Sequence, residues 1–386
     1  MKLLSIASTA LCLLTSVSAA AAPTFSTILP NSAQIKAAAA TASTNSFKNA
    51  KYVSGAAFDR IVYIFLENTD YSKAIGDSHL KKLTKEGILL TNYFSLTHTS
   101  EPNYMASAGG SYFGLGDDNF VRLPQNVATV VDLLESKNIT WAEYEEDMPY
   151  TGYQGYQYLN QKTGANDYVR KHNPFIFYDS VALNPYRSAN IKNLTEFNAD
   201  LAAEALPQWI FITPNMTDDG HDSNIATAGA WSYNFLTPLL SNSYFTKNTL
   251  VVLTFDENET YSDQNQVYAV LLGDIPSDLK GTKDNTFYDH YSLIASVQAN
   301  WGLPMLGRGD CGANVFDLIA QNTGYTNQNV DTTNLYNNQS APGYFSDSSL
   351  PIPSPSTCDN PAGGISEPIS AAPTTWNVRK EYPNQW

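Results

Sequence analysis

The sequence predicts an α/β domain, a three-layer sandwich with a mostly parallel central sheet, and three observations carry that prediction. Apolar runs alternate with helix-like segments between residues 55 and 340. The runs are nearly continuous, as strands buried on both faces require. Their carboxyl ends break abruptly into Asp, Glu, Asn and His, and ligands of open α/β sheets collect at that edge.

The first run is Phe58-Asp59-Arg60-Ile61-Val62-Tyr63-Ile64-Phe65-Leu66, rich in β-branched and aromatic residues, and it ends in Glu67-Asn68. Residues 79–86 read as a helix closed by Gly87. A second run, residues 88–94, leads into Leu96-Thr97-His98-Thr99-Ser100-Glu101-Pro102-Asn103-Tyr104. A helix over residues 102–108 then stops at Gly109-Gly110. Ser100 thus stands where a strand passes into a helix. Proline suits the first helical position, where a missing N–H costs nothing. The free amides and the positive dipole end at that point favour an anion. Taken alone, Ser100 reads first as a helix cap, and only the other strand ends turn it toward a nucleophile.

Residues 127–137 are amphipathic, with Val130, Val131 and Leu134 on one face, and residues 140–144 read as a strand. Glu145-Glu146-Asp147 reads as a solvated loop. Residues 150–178, rich in Tyr, Gly, Asn and Gln, read as a long insertion loop over one end of the sheet. His79 and His172 read as surface or packing residues, and Arg170-Lys171 as a solvated basic pair. A helix over 194–205 precedes the strand 208–213, which ends in Asp218-Asp219-Gly220-His221-Asp222. A helix over 231–240 precedes the strand 249–255, which ends in Asp256-Glu257-Asn258. A strand over 267–272 and a helix over 290–301 complete the pattern.

The ends read differently. Lys2, an apolar stretch over 3–14 and Val17-Ser18-Ala19 predict a secretory signal at residues 1–19. Residues 20–54, rich in Ala, Ser and Thr, read as a flexible lead-in with room for one short helix, and residues 341–386 as a Pro/Ser-rich tail. No later run is long enough to cross a membrane. Secretion to the extracellular or cell-wall space predicts a disulfide between Cys311 and Cys358. It also predicts N-glycans at some of Asn138, Asn193, Asn215, Asn258 and Asn338. The formal net charge is -15, so no basic nucleic-acid footprint exists, and any phosphate site must be local.

Four strand ends thus carry chemistry: Glu67-Asn68, His98/Ser100, Asp218 to Asp222, and Asp256-Glu257. Glu67, Asn68, Asp256 and Glu257 offer oxygen, which points to Ca²⁺, Mg²⁺ or Mn²⁺ over a two-zinc site. A cation there lowers the hydroxyl pKa of Ser100 and neutralises phosphoryl oxygens. His221 and His290 suit proton transfer to a leaving alkoxide, or contact with phosphate. No Gly-x-Ser-x-Gly elbow and no Gly-rich phosphate loop occurs, which disfavours a Ser-His-Asp hydrolase and a nucleotide-phosphate fold.

The segments Phe65-Leu66-Glu67-Asn68-Thr69-Asp70, Thr97-His98-Thr99-Ser100-Glu101-Pro102-Asn103-Tyr104, Phe211-Ile212-Thr213-Pro214-Asn215, Gly220-His221-Asp222 and Leu253-Thr254-Phe255-Asp256-Glu257 resemble the phosphoesterase family. That family contains secreted acid phosphatases and bacterial phospholipases C, and the likeness is to the fungal phosphate-repressible acid phosphatases in particular. It runs on through Asp289-His290-Tyr291-Ser292 and Trp301-Gly302-Leu303-Pro304 to Cys311-Gly312-Ala313-Asn314, over residues 55–340. The resemblance implies a fold like the alkaline phosphatase superfamily, with Ser100 as nucleophile and Thr99 as a neighbouring alternative. It implies His221 as the active-site histidine and Glu67, Asn68, Asp256 and Glu257 as metal- or phosphate-facing positions. His98, Asn103 and Asp222 are the expected substrate-binding residues. The expected function is a secreted acid phosphatase that hydrolyses small phosphomonoesters through a phosphoserine, for phosphate scavenging. A phospholipase C on the same scaffold, or a secreted binding protein without catalysis, are the other readings.

Overall fold

A computed structural model describes residues 29–346, 350–359, 365–366 and 369 of the chain. The secretory signal, the first part of the lead-in and the end of the tail lie outside those residues. Eight strands form the central sheet: β1 (Arg60–Leu66), β2 (Ile88–Leu90), β3 (Trp141–Glu145), β4 (Ile191–Asn193), β5 (Trp209–Thr213), β6 (Thr249–Phe255), β7 (Ala269–Gly273) and β8 (Thr282–Asp284). Their order across the sheet is β8-β2-β7-β6-β1-β5-β3-β4. All neighbours run parallel except where β7 lies antiparallel between β2 and β6. The expected mostly parallel sheet is therefore what the chain builds, with one reversed strand.

Strand β1 is the keel. Every residue of it is buried, and Tyr63 stands level with Phe211 of β5 and Val252 of β6. Each large apolar side chain fully buried there stabilises the fold by about 1.5–3 kcal/mol. The chain leaves β1 toward β2 on one side and returns to β3 on the other. The crevice at the carboxyl end of β1 is therefore a topological switch point, where open α/β sheets bind ligands.

Helices cover both faces. The Tyr63 hydroxyl donates to the Leu293 carbonyl, and Phe65 packs on Tyr104 and His290. Those contacts seat helices Ser100–Gly109 and His290–Trp301 on one face. Helices Ser78–Thr84 and Ile225–Leu240 pack together elsewhere, the former against β7.

Several local expectations shift. The apolar run over residues 88–94 splits: Ile88–Leu90 joins the sheet, while Tyr93–Phe94 pairs separately with Tyr288–Asp289. The helix expected from Pro102 starts at Ser100, because proline is tolerated throughout a first turn whose N–H groups have no helical acceptor. Glu145 ends β3 in the interior instead of lying in a solvated loop. The lead-in does hold one short helix, Ser32–Ala39, capped by Asn31, in keeping with its sequence. Residues 150–178 do hold regular structure, a hairpin of Gln157–Leu159 and Asn166–Val169. Cys311 and Cys358 form the expected disulfide, with Cα atoms 5.8 Å apart.

Candidate active site

Glu67 is the first residue beyond β1 and is fully buried. Its backbone N–H donates to the Asp219 carbonyl at 3.0 Å, which ties the end of β1 to the loop after β5. The Tyr104 hydroxyl donates to its Oε1 at 2.7 Å, and the Ser100 hydroxyl to its Oε2 at 3.0 Å. Ser100 also reaches Glu257 Oε1, at 3.2 Å, beyond the end of β6. The serine is thus held between carboxylates from two adjacent strand ends.

Asn68 follows with φ at +39°, in the left-handed region that asparagine tolerates. Its backbone N–H donates to Asp256 Oδ1 at 3.3 Å. With its amide nitrogen turned inward it donates to Glu67 Oε2 and Glu257 Oε1, at 3.3 and 3.2 Å. His221 Nδ1 lies 3.3 Å from the same amide and 3.4 Å from Glu67 Oε2. Gly220 turns the chain toward His221 at φ +106°, a conformation few other residues adopt.

His172 is the residue the sequence reading set aside. It belongs to the 3₁₀ turn Arg170–His172, it is buried, and its Nε2 lies 3.3 Å from Glu67 Oε1. Its Nδ1 lies 3.5 Å from Asp219 Oδ2. Its neighbours are not a solvated basic pair either. Arg170 is buried over the Phe120 ring, and the Lys171 ammonium donates to Asp118 Oδ2 at 3.0 Å.

The turn that carries Ser100 has its own scaffold. Asn103 accepts from the Ser95 hydroxyl and from the Leu96 and Thr97 N–H groups, and donates to the Thr97 and Thr99 carbonyls. Every polar atom of its side chain is spent inside the turn, so Asn103 shapes the site and does not face substrate. The Thr99 hydroxyl is likewise engaged, donating to Asp118 Oδ1 at 2.6 Å, while the Glu101 N–H donates to the same oxygen at 3.1 Å. Asp118 thereby caps the helix in place of Thr99.

The remaining expected site residues fall in different places. His98 Nδ1 bonds Glu257, and its ring stacks on Tyr261 with centroids 3.7 Å apart. His290 lies under the site: its Nε2–H donates to the Asp256 carbonyl at 2.7 Å and its Nδ1 accepts from Tyr93 at 3.1 Å. With both ring nitrogens engaged, His290 is placed to position the Asp256 turn and not to move a proton. Asp222 is exposed on the loop after β5, and its charge acts on Asp219.

Electrostatics set the needs of this cluster. Burial alone would raise the Glu67 carboxyl, but the imidazoles of His172 and His221 hold it down at about 2. Burial, and then repulsion from Glu67, push Asp219, Asp256 and Glu257 well above the usual carboxylate range. Burial also pushes the His172 ring down to about 3. Crowded carboxylates of this kind ask for a positive partner.

Glu67, His172 and His221 can supply one: each offers a ligand atom, and these atoms lie within 4.8 Å of one another. Buried His172 Nε2, Asp219 Oδ2 and Asp256 Oδ2 have no hydrogen-bond partner, as donors meant for a cation would. The residues therefore fit a divalent metal ion. The expected ligand set of Glu67, Asn68, Asp256 and Glu257 carries oxygen alone; the geometry instead groups Glu67 of that set with two imidazoles. His172 carries no local signal in the sequence, since it lies in an aperiodic Tyr-rich segment 105 positions from Glu67 (172 − 67).

Comparison with known proteins gives the same neighbourhood. The model of the phosphoesterase family matches residues 78–304. A protein of Kluyveromyces lactis named a probable acid phosphatase is 56% identical over 86% of this chain and 78% of its own length. A phosphate-repressible acid phosphatase of Penicillium chrysogenum is 55% identical over 82% of this chain and 76% of its own. Among solved structures, a protein of the alkaline phosphatase superfamily from Vibrio parahaemolyticus aligns with a TM-score of 0.41 at 12% identity, over 66% of this chain and 68% of that one.

Proposed function

The chain belongs to the phosphoesterase family, and from that premise we propose that it is a secreted acid phosphatase that hydrolyses phosphomonoesters through a phosphoserine at Ser100. One observation carries the reading: the Ser100 hydroxyl, at the first position of a buried helix, bonds both Glu67 and Glu257. Relatives that are 51–56% identical are named acid phosphatases.

Ser100 Oγ attacks phosphorus while its proton passes to Glu67, whose carboxyl is the one in the cluster held ionised. The bond from phosphorus to the alcohol oxygen breaks. His221, the partly open member of its cluster at 25% side-chain exposure, gives a proton to the departing alkoxide. Water then attacks the phosphoserine, releasing inorganic phosphate and restoring the serine. The divalent ion would be held against Glu67 and His172, with His221 left to move the proton, and it would supply charge neutralisation of the phosphoryl oxygens when bound.

Secretion rests on the signal-like start and on the disulfide between Cys311 and Cys358. Phosphate scavenging follows from an extracellular site for small esters. Among the described residues no helix is long and apolar enough to cross a membrane. The five sequons differ in access. Asn138 is exposed, whereas Asn258 is 2% exposed and donates to the Thr260 and Gln264 carbonyls. Glycosylation fits Asn138 and not Asn258.

The test is to quench the enzyme in acid during turnover of p-nitrophenyl phosphate and map the labelled peptide. One added phosphate on Ser100 is expected. A turnover-competent enzyme without any phosphorylated serine would overturn the covalent route.

A further inference from the structure

A cavity of about 670 Å³ opens beside the nucleophile turn, lined by His98 and Thr99 on one side. Its other walls include Tyr261, Asp117, Asn119, Gln339 and Phe345. The size suits a small molecule. No mechanistic step above uses these outer walls. We infer that this cavity is the leaving-group subsite and that it selects phosphomonoesters of uncharged, hydroxyl-rich ring alcohols, such as sugar and nucleoside monophosphates, against esters bearing a second phosphate. The inference rests on the phosphatase reading.

Three observations carry it. The cavity reaches Thr99, the residue before Ser100, so an alcohol departing from a phosphorus held at Ser100 has it as a neighbour. Its walls combine ring surface with amide donors and acceptors. Tyr261 stacks one face on His98 and is half exposed, while Asn119 and Gln339 bring side-chain amides. Rings meet the apolar face of a cyclic alcohol, and amides match its hydroxyls.

The third observation is charge. The lining contains no lysine or arginine, and its carboxylate is Asp117. Asp118 stands next to it, and it holds the nearby ammonium of Lys171 in an ion pair. A cleft lined by one sign of charge concentrates its field and repels ligands of the same sign. A second phosphate on the leaving group would enter that field without a counter-charge, whereas a neutral sugar pays nothing. Discrimination here comes from a repulsive element as much as from contacts.

The experiment measures kcat/KM at low ionic strength and mildly acidic pH for glucose 6-phosphate and fructose 1,6-bisphosphate. Wild type is expected to prefer the monophosphate by roughly tenfold or more, and added salt should shrink the preference. Asp117→Lys and, independently, Asn119→Lys place a cation on the wall, and each is expected to narrow the ratio by about fivefold, mainly through KM. Equal use of both esters by wild type, or an unchanged ratio in both variants, would overturn the subsite while leaving the phosphatase intact. Absence of turnover of any monoester by wild type would overturn the phosphatase reading, and the subsite with it.

Discussion

The Ser100 hydroxyl donates to Glu67 Oε2 at 3.0 Å, while the hydroxyl one residue earlier, on Thr99, is committed to Asp118 at 2.6 Å. Two adjacent hydroxyls therefore have separate tasks. Ser100→Ala should reduce kcat on p-nitrophenyl phosphate by on the order of 10³-fold or more, as loss of a nucleophile does. Thr99→Val removes only an anchor and should cost about tenfold, by slight misplacement of the turn. Steady-state kinetics on both variants decide it. If Thr99→Val is the inactive one, the roles are reversed.

His172 lies against Glu67, and the pair anchors the cation-ready cluster. His172→Ala should weaken divalent metal binding by roughly tenfold or more, in line with the loss of a supporting imidazole. Metal content after dialysis against a weak chelator, compared with wild type, measures this. His79→Ala, outside the Glu67 group on the helix Ser78–Thr84 beside Tyr233, serves as the control and should retain its metal. Equal metal retention by His172→Ala and wild type would remove His172 from the ligand set.

The contrast between those two histidines shows how far the sequence reaches. The sheet is legible because β1, β5 and β6 are unbroken apolar runs, and burial on both faces leaves few other ways to place them. Glu67, His221 and Asp256-Glu257 are legible because each stands just past such a run. His172 is not, because the fold carries residues 150–178 over the sheet edge by tertiary contacts that no period announces. Asn103 shows a second limit. Its residue type fits phosphate binding, but the five hydrogen bonds that consume it exist only once the turn has folded.

Those bonds make Asn103 a test of the scaffold. Asn103→Ala leaves buried Thr97 and Leu96 backbone groups without partners, at about 1–3 kcal/mol of stability. The turn that aims Ser100 loosens with them, so kcat should fall more than KM rises. Asn103→Asp retains the acceptor and lacks both donors to the Thr97 and Thr99 carbonyls, and should not rescue. Denaturant melts with matched kinetics check both effects. A rise in KM alone, with normal stability, would return Asn103 to the substrate-binding set.

Stability should be greatest at mildly acidic pH, because the interior holds carboxyls that prefer their protons. Glu143 and Glu145 stand two apart on β3, so both face the same side of the sheet, and both are buried. Burial pushes Glu143 up to about 8, and burial with its repulsion pushes Glu145 well above the usual range. Burial likewise raises Glu146 to about 7. A carboxyl raised in the folded state binds more protons there than in the unfolded chain, so stability falls as pH climbs from the unfolded value toward the folded one. Each unit of upward shift costs about 1.4 kcal/mol once the pH passes the folded value. The melting temperature should therefore decline between pH 5 and pH 8. Glu143→Gln, which is neutral at every pH and keeps the shape, should flatten that decline and melt higher than wild type at pH 8. A wild-type profile that is flat or rising over this window, or an unchanged slope in Glu143→Gln, would show that the pair does not share a buried proton.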